Sequence, residues 1–246
     1  MSKRMLRAGV TLFVFLAVSV VGRTTATPLP LRHTAGRPSR CTIVGTSGND
    51  VLPGTDGNDV ICGLGGEDRI DALDGNDIVF AGRGEDTVDA GRGDDVIRGG
   101  PDRAADSLDG GPGNDRIYGG RGADSLVGGR FTGGDDELHG GRGPDRFDGG
   151  AGADVVRGGP GADRSTESIG PDHVYGGRGP DFLREFFSGL DVIRGGRGSD
   201  PCLLTSDGLP GDKIVGGPGE DIYAADGGDR VRSVEIVAGV DDPCTD

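Results

Sequence analysis

From Gly45 to Arg232 one apolar residue returns about every ninth position, and glycine and charge fill most of the space between. In residues 45–80 the apolar set is Leu52, Ile61, Ile70 and Val79, each two places after an aspartate: Asp50, Asp59, Asp68 and Asp77. Neither a helix, with its period of about 3.6, nor a flat strand, with about 2, gives this spacing. The unit divides in two. Fragments such as "GGRGAD" and "GGPGND" carry glycine where positive φ is required and predict a turn. The three residues after each Asp predict a short strand, with one side chain on one face and its neighbours on the other.

A single unit buries nothing by itself. Two units per coil, wound so that alternate strands enter two parallel sheets, bring the Leu, Ile and Val residues together between the sheets. The predicted class is therefore all-β, a solenoid of about twenty nonapeptide half-coils. Ten coils at the usual strand spacing make a core roughly 48 Å long.

With Asp in the sixth place, the register runs through Asp50, Asp59, Asp68, Asp77, Asp86, Asp95, Asp106, Asp115, Asp124, Asp136, Asp145, Asp154, Asp163, Asp172, Asp181, Asp191, Asp200, Asp212, Asp221 and Asp229. Gly stands two places before it except at Ala104 and Pro210, and the inward place is aliphatic or Phe except at Ser165, Cys202 and Tyr223. Extra residues fall before the Asp, none between it and the inward residue, as expected if turns absorb length and strands do not. The units at Asp106 and Asp212 lack the turn glycine.

Composition turns this pattern toward chemistry. With 52 Gly, no Trp and 4% aromatic residues, a conventional bulky core is excluded. The net charge of −15 disfavours nucleic acid and anionic lipid as partners and invites divalent cations. Coiling stacks the sixth-place carboxylates about 4.8 Å apart, where a pair repels by roughly 3–4 kcal/mol at an effective dielectric near 20. A hard divalent cation between them removes that cost. Ligands that are all oxygen, from Asp and turn carbonyls, select multiple Ca²⁺ over Mg²⁺, which demands a stricter octahedron. Folding is then coupled to the metal, and without it the acidic, glycine-rich chain is expected to be disordered. For the units at Asp106 and Asp212, either their metal sites are distorted or vacant, or a longer turn still closes around the ion.

The units "GGPGNDRIY", "GGRGADSLV" and "GGAGADVVR" resemble the nonapeptide of the RTX (repeats-in-toxin, haemolysin-type) calcium-binding proteins, over about 190 of the 246 residues. The resemblance implies a parallel β-roll with Ca²⁺ in the turns, held by the sixth-place Asp residues above and backbone carbonyls. The chain departs from many members of that family in its N-terminus and its cysteines. "MSKRMLR", the apolar run Ala8–Val21 and the small residues of "GRTTAT" have the order of a secretory signal peptide cleaved after Ala26. At 14 residues the run is short of the ~20 needed to span a bilayer, although an uncleaved anchor is the competing reading. Loss of four cations and no anions with residues 1–26 would take the net charge from −15 to −19.

The expected organisation is a signal peptide (1–26), an N-terminal cap or linker (27–44), the repeats (45–232) and a C-terminal cap (233–246). An exported chain with Cys41, Cys62, Cys202 and Cys244 is expected to form two disulfides. Three pairings exist; Cys41–Cys62 with Cys202–Cys244 is favoured because each ties a flank to the repeats, while zinc lacks any Cys-x-x-Cys.

If alternate units enter alternate sheets, one outer face carries Phe80, Arg98, Tyr118, His139, Arg157, Tyr175 and Arg194, and the other Asp71, Asp89, Asp109 and Asp148. The first is a candidate docking face for an anionic polysaccharide or cell-envelope polymer, or merely an outward column rich in strand formers. "LREFFSGL" puts Phe186 and Phe187 in a lengthened turn. No His-Glu-x-x-His, Gly-x-Ser-x-Gly, phosphate loop or EF-hand occurs, and only 18 residues (27–44) precede the repeats, so catalysis has no support. Three roles stay open: a secreted calcium-binding protein, a Ca²⁺-stiffened surface or matrix adhesion module, and a non-catalytic accessory to a secreted hydrolase.

Overall fold

A computed structural model describes residues 41–232, apart from 167, 186–188, 206–207 and 226 and the side chains of 130–132. The expected signal peptide, the C-terminal cap, Cys244, Phe186 and Phe187 lie outside the described residues. Among these residues the chain is all parallel β-structure, in one sheet of eleven strands and one of ten, with consecutive strands alternating between them. The first sheet runs from Ile43–Val44 to Arg230–Arg232 and the second from Val51–Pro53 to Tyr223–Ala224. Because Ile43 and Val44 pair with Ile61 and Cys62, pairing begins one strand before the first complete nonapeptide.

Each strand sends one side chain inward, and the register stacks these side chains in columns. Ile61 lies opposite Val79, Val79 opposite Ile97, and Ile97 opposite Ile117 in the first sheet. Leu52, Ile70, Val88 and Leu108 form the matching column of the second. They meet in one continuous core in which Phe147 is the largest fully buried side chain. A core only one residue deep on each side suits the scarcity of aromatic residues.

Two details differ from the sequence-based expectation. Strands in the middle of the roll run on through the Gly-Gly pair, as in Arg116–Arg121 and His173–Arg178, where a turn was predicted. Glycine permits this because it faces glycine in the next coil, Gly120 opposite Gly141 and Gly177 opposite Gly196, and backbones stack without intervening side chains. The other departure is an extra residue between Asp200 and the core. Leu203, not Cys202, pairs with Leu183 and joins the main cluster. Pro201 has no N–H for the ladder, and the added residue is a local bulge. At Ser165 the inward place is filled by a hydroxyl that accepts the Arg184 N–H at 3.1 Å, so this polar position is satisfied.

The expected Cys41–Cys62 disulfide is present and ties the first strands together. Cys202 is also disulfide-bonded.

Candidate metal centre

The turns place the sixth-place carboxylates in two ladders, one along each edge of the roll. Asp50, Asp68, Asp86, Asp106, Asp124, Asp145, Asp163, Asp181, Asp200 and Asp221 form one. The other contains Asp59, Asp77, Asp95, Asp115, Asp136, Asp154, Asp172, Asp191, Asp212 and Asp229. Within each ladder the rungs share one rule. The backbone N–H of each Asp donates to Oδ1 of the Asp one coil further on, at 2.7 Å for Asp77 to Asp95 and 2.8 Å for Asp154 to Asp172. All twenty aspartates singled out by the nine-residue period take part. Asp106 and Asp212, whose units lack the turn glycine, are in line with the rest, so the longer turn does deliver the carboxylate.

The second carboxylate oxygen is the chemically unfinished part. Oδ2 of Asp68, Asp77, Asp86, Asp95, Asp115, Asp124, Asp145, Asp154, Asp163, Asp181, Asp200 and Asp221 is buried and has no hydrogen-bond partner. In many units it faces the first glycine of the same turn: a Cβ on Gly119 would stand 2.6 Å from Oδ2 of Asp124, and one on Gly149 would stand 2.6 Å from that of Asp154. The absence of a side chain leaves a cradle at the charged oxygen. The fourth place is constrained separately. Gly143 has φ +127°, and a Cβ there would land on the carbonyl oxygen of Gly122 in the neighbouring coil.

Burial raises the interior carboxyls, with like charges along the ladder adding to it and the backbone N–H only partly opposing. Asp86 and Asp95 are pushed up to about 6, Asp106 and Asp145 to about 7, and Asp115 and Asp154 to about 8. Such groups resist ionisation unless a cation is supplied. An orphaned, buried, charge-reluctant oxygen repeated along both edges, with only oxygen ligands nearby, fits Ca²⁺.

The first coil is different. Thr55 donates from its N–H and its hydroxyl to Oδ2 of Asp59, both at 2.8 Å, and Thr42 donates to Oδ1. Burial raises Asp59, but these bonds outweigh it and hold the carboxyl below its ordinary value. Thr46 likewise donates from its N–H and its hydroxyl to Oδ2 of Asp50.

One site residue escaped the sequence analysis. Glu185 is buried beside the Asp172 rung, where Ser168 Oγ lies 2.7 Å from Glu185 Oε2 and 2.5 Å from Asp172 Oδ2. One hydroxyl proton cannot serve two carboxylates, so one carboxyl keeps its own. Burial first, then the charges of Asp172 and Asp191, push Glu185 well above its usual value. The signal was available in the sequence: Glu185 occupies the first place of its unit, where most units carry Gly or Ala.

The family model of the RTX calcium-binding nonapeptide repeat (4 copies) matches residues 42–70, 71–103, 102–131, 132–164 and 168–184, more than half of the chain. No curated protein matches it.

Proposed function

Because the chain belongs to the RTX calcium-binding nonapeptide repeat family, we propose that it is a secreted, non-catalytic protein whose roll closes on binding extracellular Ca²⁺ at its two aspartate ladders. The observation that carries this reading is the recurring buried Oδ2 without a partner. When bound, Ca²⁺ supplies two positive charges to a cluster of oxygen ligands and tolerates irregular coordination. The chain does the rest. Backbone N–H groups of one coil orient the carboxylates of the next, the first-place glycines keep the cradle open, and the inward aliphatic column excludes water from behind the ladder.

Affinity of about 10⁻⁴ to 10⁻³ M, usual for extracellular modules, would leave the precursor unfolded in a cytoplasm poor in Ca²⁺ and folded outside. The charged, apolar and small-residue order of residues 1–26 supports export by this route. The test is far-UV circular dichroism of residues 27–246 titrated with CaCl₂. Disordered spectra in EGTA, converting cooperatively to β-structure as Ca²⁺ is added, are expected; equal order in EGTA and in Ca²⁺ would overturn the proposal.

A further inference from the structure

One outward column of the first sheet is continuous from coil to coil. The Arg98 guanidinium sits 4.9 Å from the centroid of the Tyr118 ring, which stacks on His139 at 4.9 Å. Further along, Arg157 and Arg194 lie 5.7 and 5.5 Å from the Tyr175 ring. Beside this ridge runs the Gly-Gly floor, which has no side chains. On its far side stands a second ridge at the third place of the turns, with exposed Arg121, Arg142, Arg178 and Arg197. Arg121 pairs with Arg142, and Arg178 with Arg197, in the strand register.

Two concavities lie on this floor, 330 Å³ around Arg98 and Tyr118 and 570 Å³ among Arg178, Arg194 and Arg197, and a third of 380 Å³ lies on the turn side of the second ridge, between Arg121 and Arg142 over Gly122 and Gly143. No carboxylate lines any of them. Among the described residues, the outward strand places from Val96 to Val215 in this sheet carry one acid, Glu137. The fifth places of the five middle turns, Ala123, Pro144, Ala162, Pro180 and Ser199, are uncharged, and apart from the ladder aspartates the acids of the adjoining turns stand at the two ends, Asp102 and Glu220. A chain of net charge −15 has therefore gathered arginine on one long groove and kept acid away from it.

We propose that this groove binds an extended acidic polysaccharide lengthwise, with arginine forks on its carboxylate or sulfate groups. Charge complementarity selects a polyanion, and planar guanidinium groups match those anions in bidentate fashion. The ring contacts narrow the class. Tyr118 is covered by Arg98 and His139, and Tyr175 by Arg157 and Arg194, so both tyrosine rings are closed to a stacking nucleobase and only Phe80, at one end, is left open to one. The floor strands already pair with each other in the parallel ladder, which leaves no edge there for an added peptide strand. What remains on offer is a flat floor and rows of donors that repeat at about the strand spacing of 4.8 Å, suited to a polymer with regularly spaced hydroxyl and anionic groups. Glu137 works against this, holding Arg157 at 2.7 Å, His139 at 3.0 Å and Arg116 at 3.8 Å.

The proposal rests on the Ca²⁺-loaded roll, so the test is made at saturating Ca²⁺ with circular dichroism on the same samples. Loss of the roll there refutes the metal reading, whereas a formed roll without binding refutes the groove alone. Fluorescence anisotropy of a labelled chondroitin sulfate oligosaccharide is expected to show saturable, salt-sensitive binding. Replacing Arg98→Ser, Arg157→Ser and Arg194→Ser together should weaken it at least ~10-fold, and Glu137→Gln should strengthen it by freeing Arg157. Unchanged binding by the triple variant overturns the proposal. So does tighter binding of polyglutamate or single-stranded DNA of equal charge, or a wild-type dimer in sedimentation that the triple variant loses.

Discussion

Asp154 shows at single-residue scale how stability and metal affinity are set against each other. Its Oδ1 accepts the Asp136 N–H at 2.9 Å, while its Oδ2 is buried without a partner beside Gly149. Asp154→Asn keeps the acceptor and nearly the same shape but removes the charge. In EGTA the variant should be no less ordered than the parent, because a repelling group is gone. With Ca²⁺ it should need more ion, raising the folding midpoint by ~3-fold through loss of ligand charge. Circular dichroism under both conditions checks the two signs together; a variant less ordered in EGTA and unaltered in its Ca²⁺ midpoint would contradict the role given to the carboxylate.

At the scale of elements, the first coil combines hydroxyl donors on both of its carboxylates with a disulfide. Thr46 and Thr55 satisfy the carboxylates of Asp50 and Asp59, and Cys41–Cys62 fastens the strand at Ile43–Val44 to its neighbour. Among the described residues this coil has a partner on one side only, and local hydrogen bonds and a cross-link hold it there. Replacing Cys41→Ser and Cys62→Ser together should cost about 3 kcal/mol of unfolding free energy for a loop of this size, read from urea denaturation at saturating Ca²⁺. A midpoint unmoved from wild type would show that the end coil is held by its hydrogen bonds alone. The bulge at Pro201 belongs to this scale too: one missing N–H shifted the inward place from Cys202 to Leu203.

For the whole molecule, the raised carboxyls fix how the metal-free chain answers to pH. In the rolled state Asp86 titrates at about 6, Asp145 and Asp181 at about 7, and Asp154 at about 8, whereas an unfolded Asp titrates near ~3.9. Folded values above unfolded ones mean that the roll is least disfavoured below about pH 4 and loses stability as pH climbs through 6 to 8. The EGTA-treated chain should therefore gain β-signal on acidification from pH 8 toward 5. The Ca²⁺ requirement should rise over the same interval, since protons and the ion compete for the same oxygens. A β-signal that falls on acidification in EGTA would reverse the electrostatic account.

The nine-residue period was enough to derive the parallel coil, the one-residue core and all twenty ladder aspartates, because each property repeats with the chain's own spacing and needs no distant partner to define it. Asp106 and Asp212 show how far this reaches, since even the irregular turns kept their carboxylates in line. Whatever depends on contacts between non-equivalent coils was decided in three dimensions. Glu185 became a ladder neighbour only when Ser168 and Asp172 were brought beside it, and although the alternation of units already outlined the face of Arg98, Arg157 and Arg194, only the wound roll set the ridge of Arg121, Arg142, Arg178 and Arg197 across the glycine floor from it. Winding moves units that are adjacent in the chain to opposite sides of the roll and brings every second one into contact. Chemistry confined to one unit can be read along the sequence, whereas chemistry shared across coils requires the coil itself.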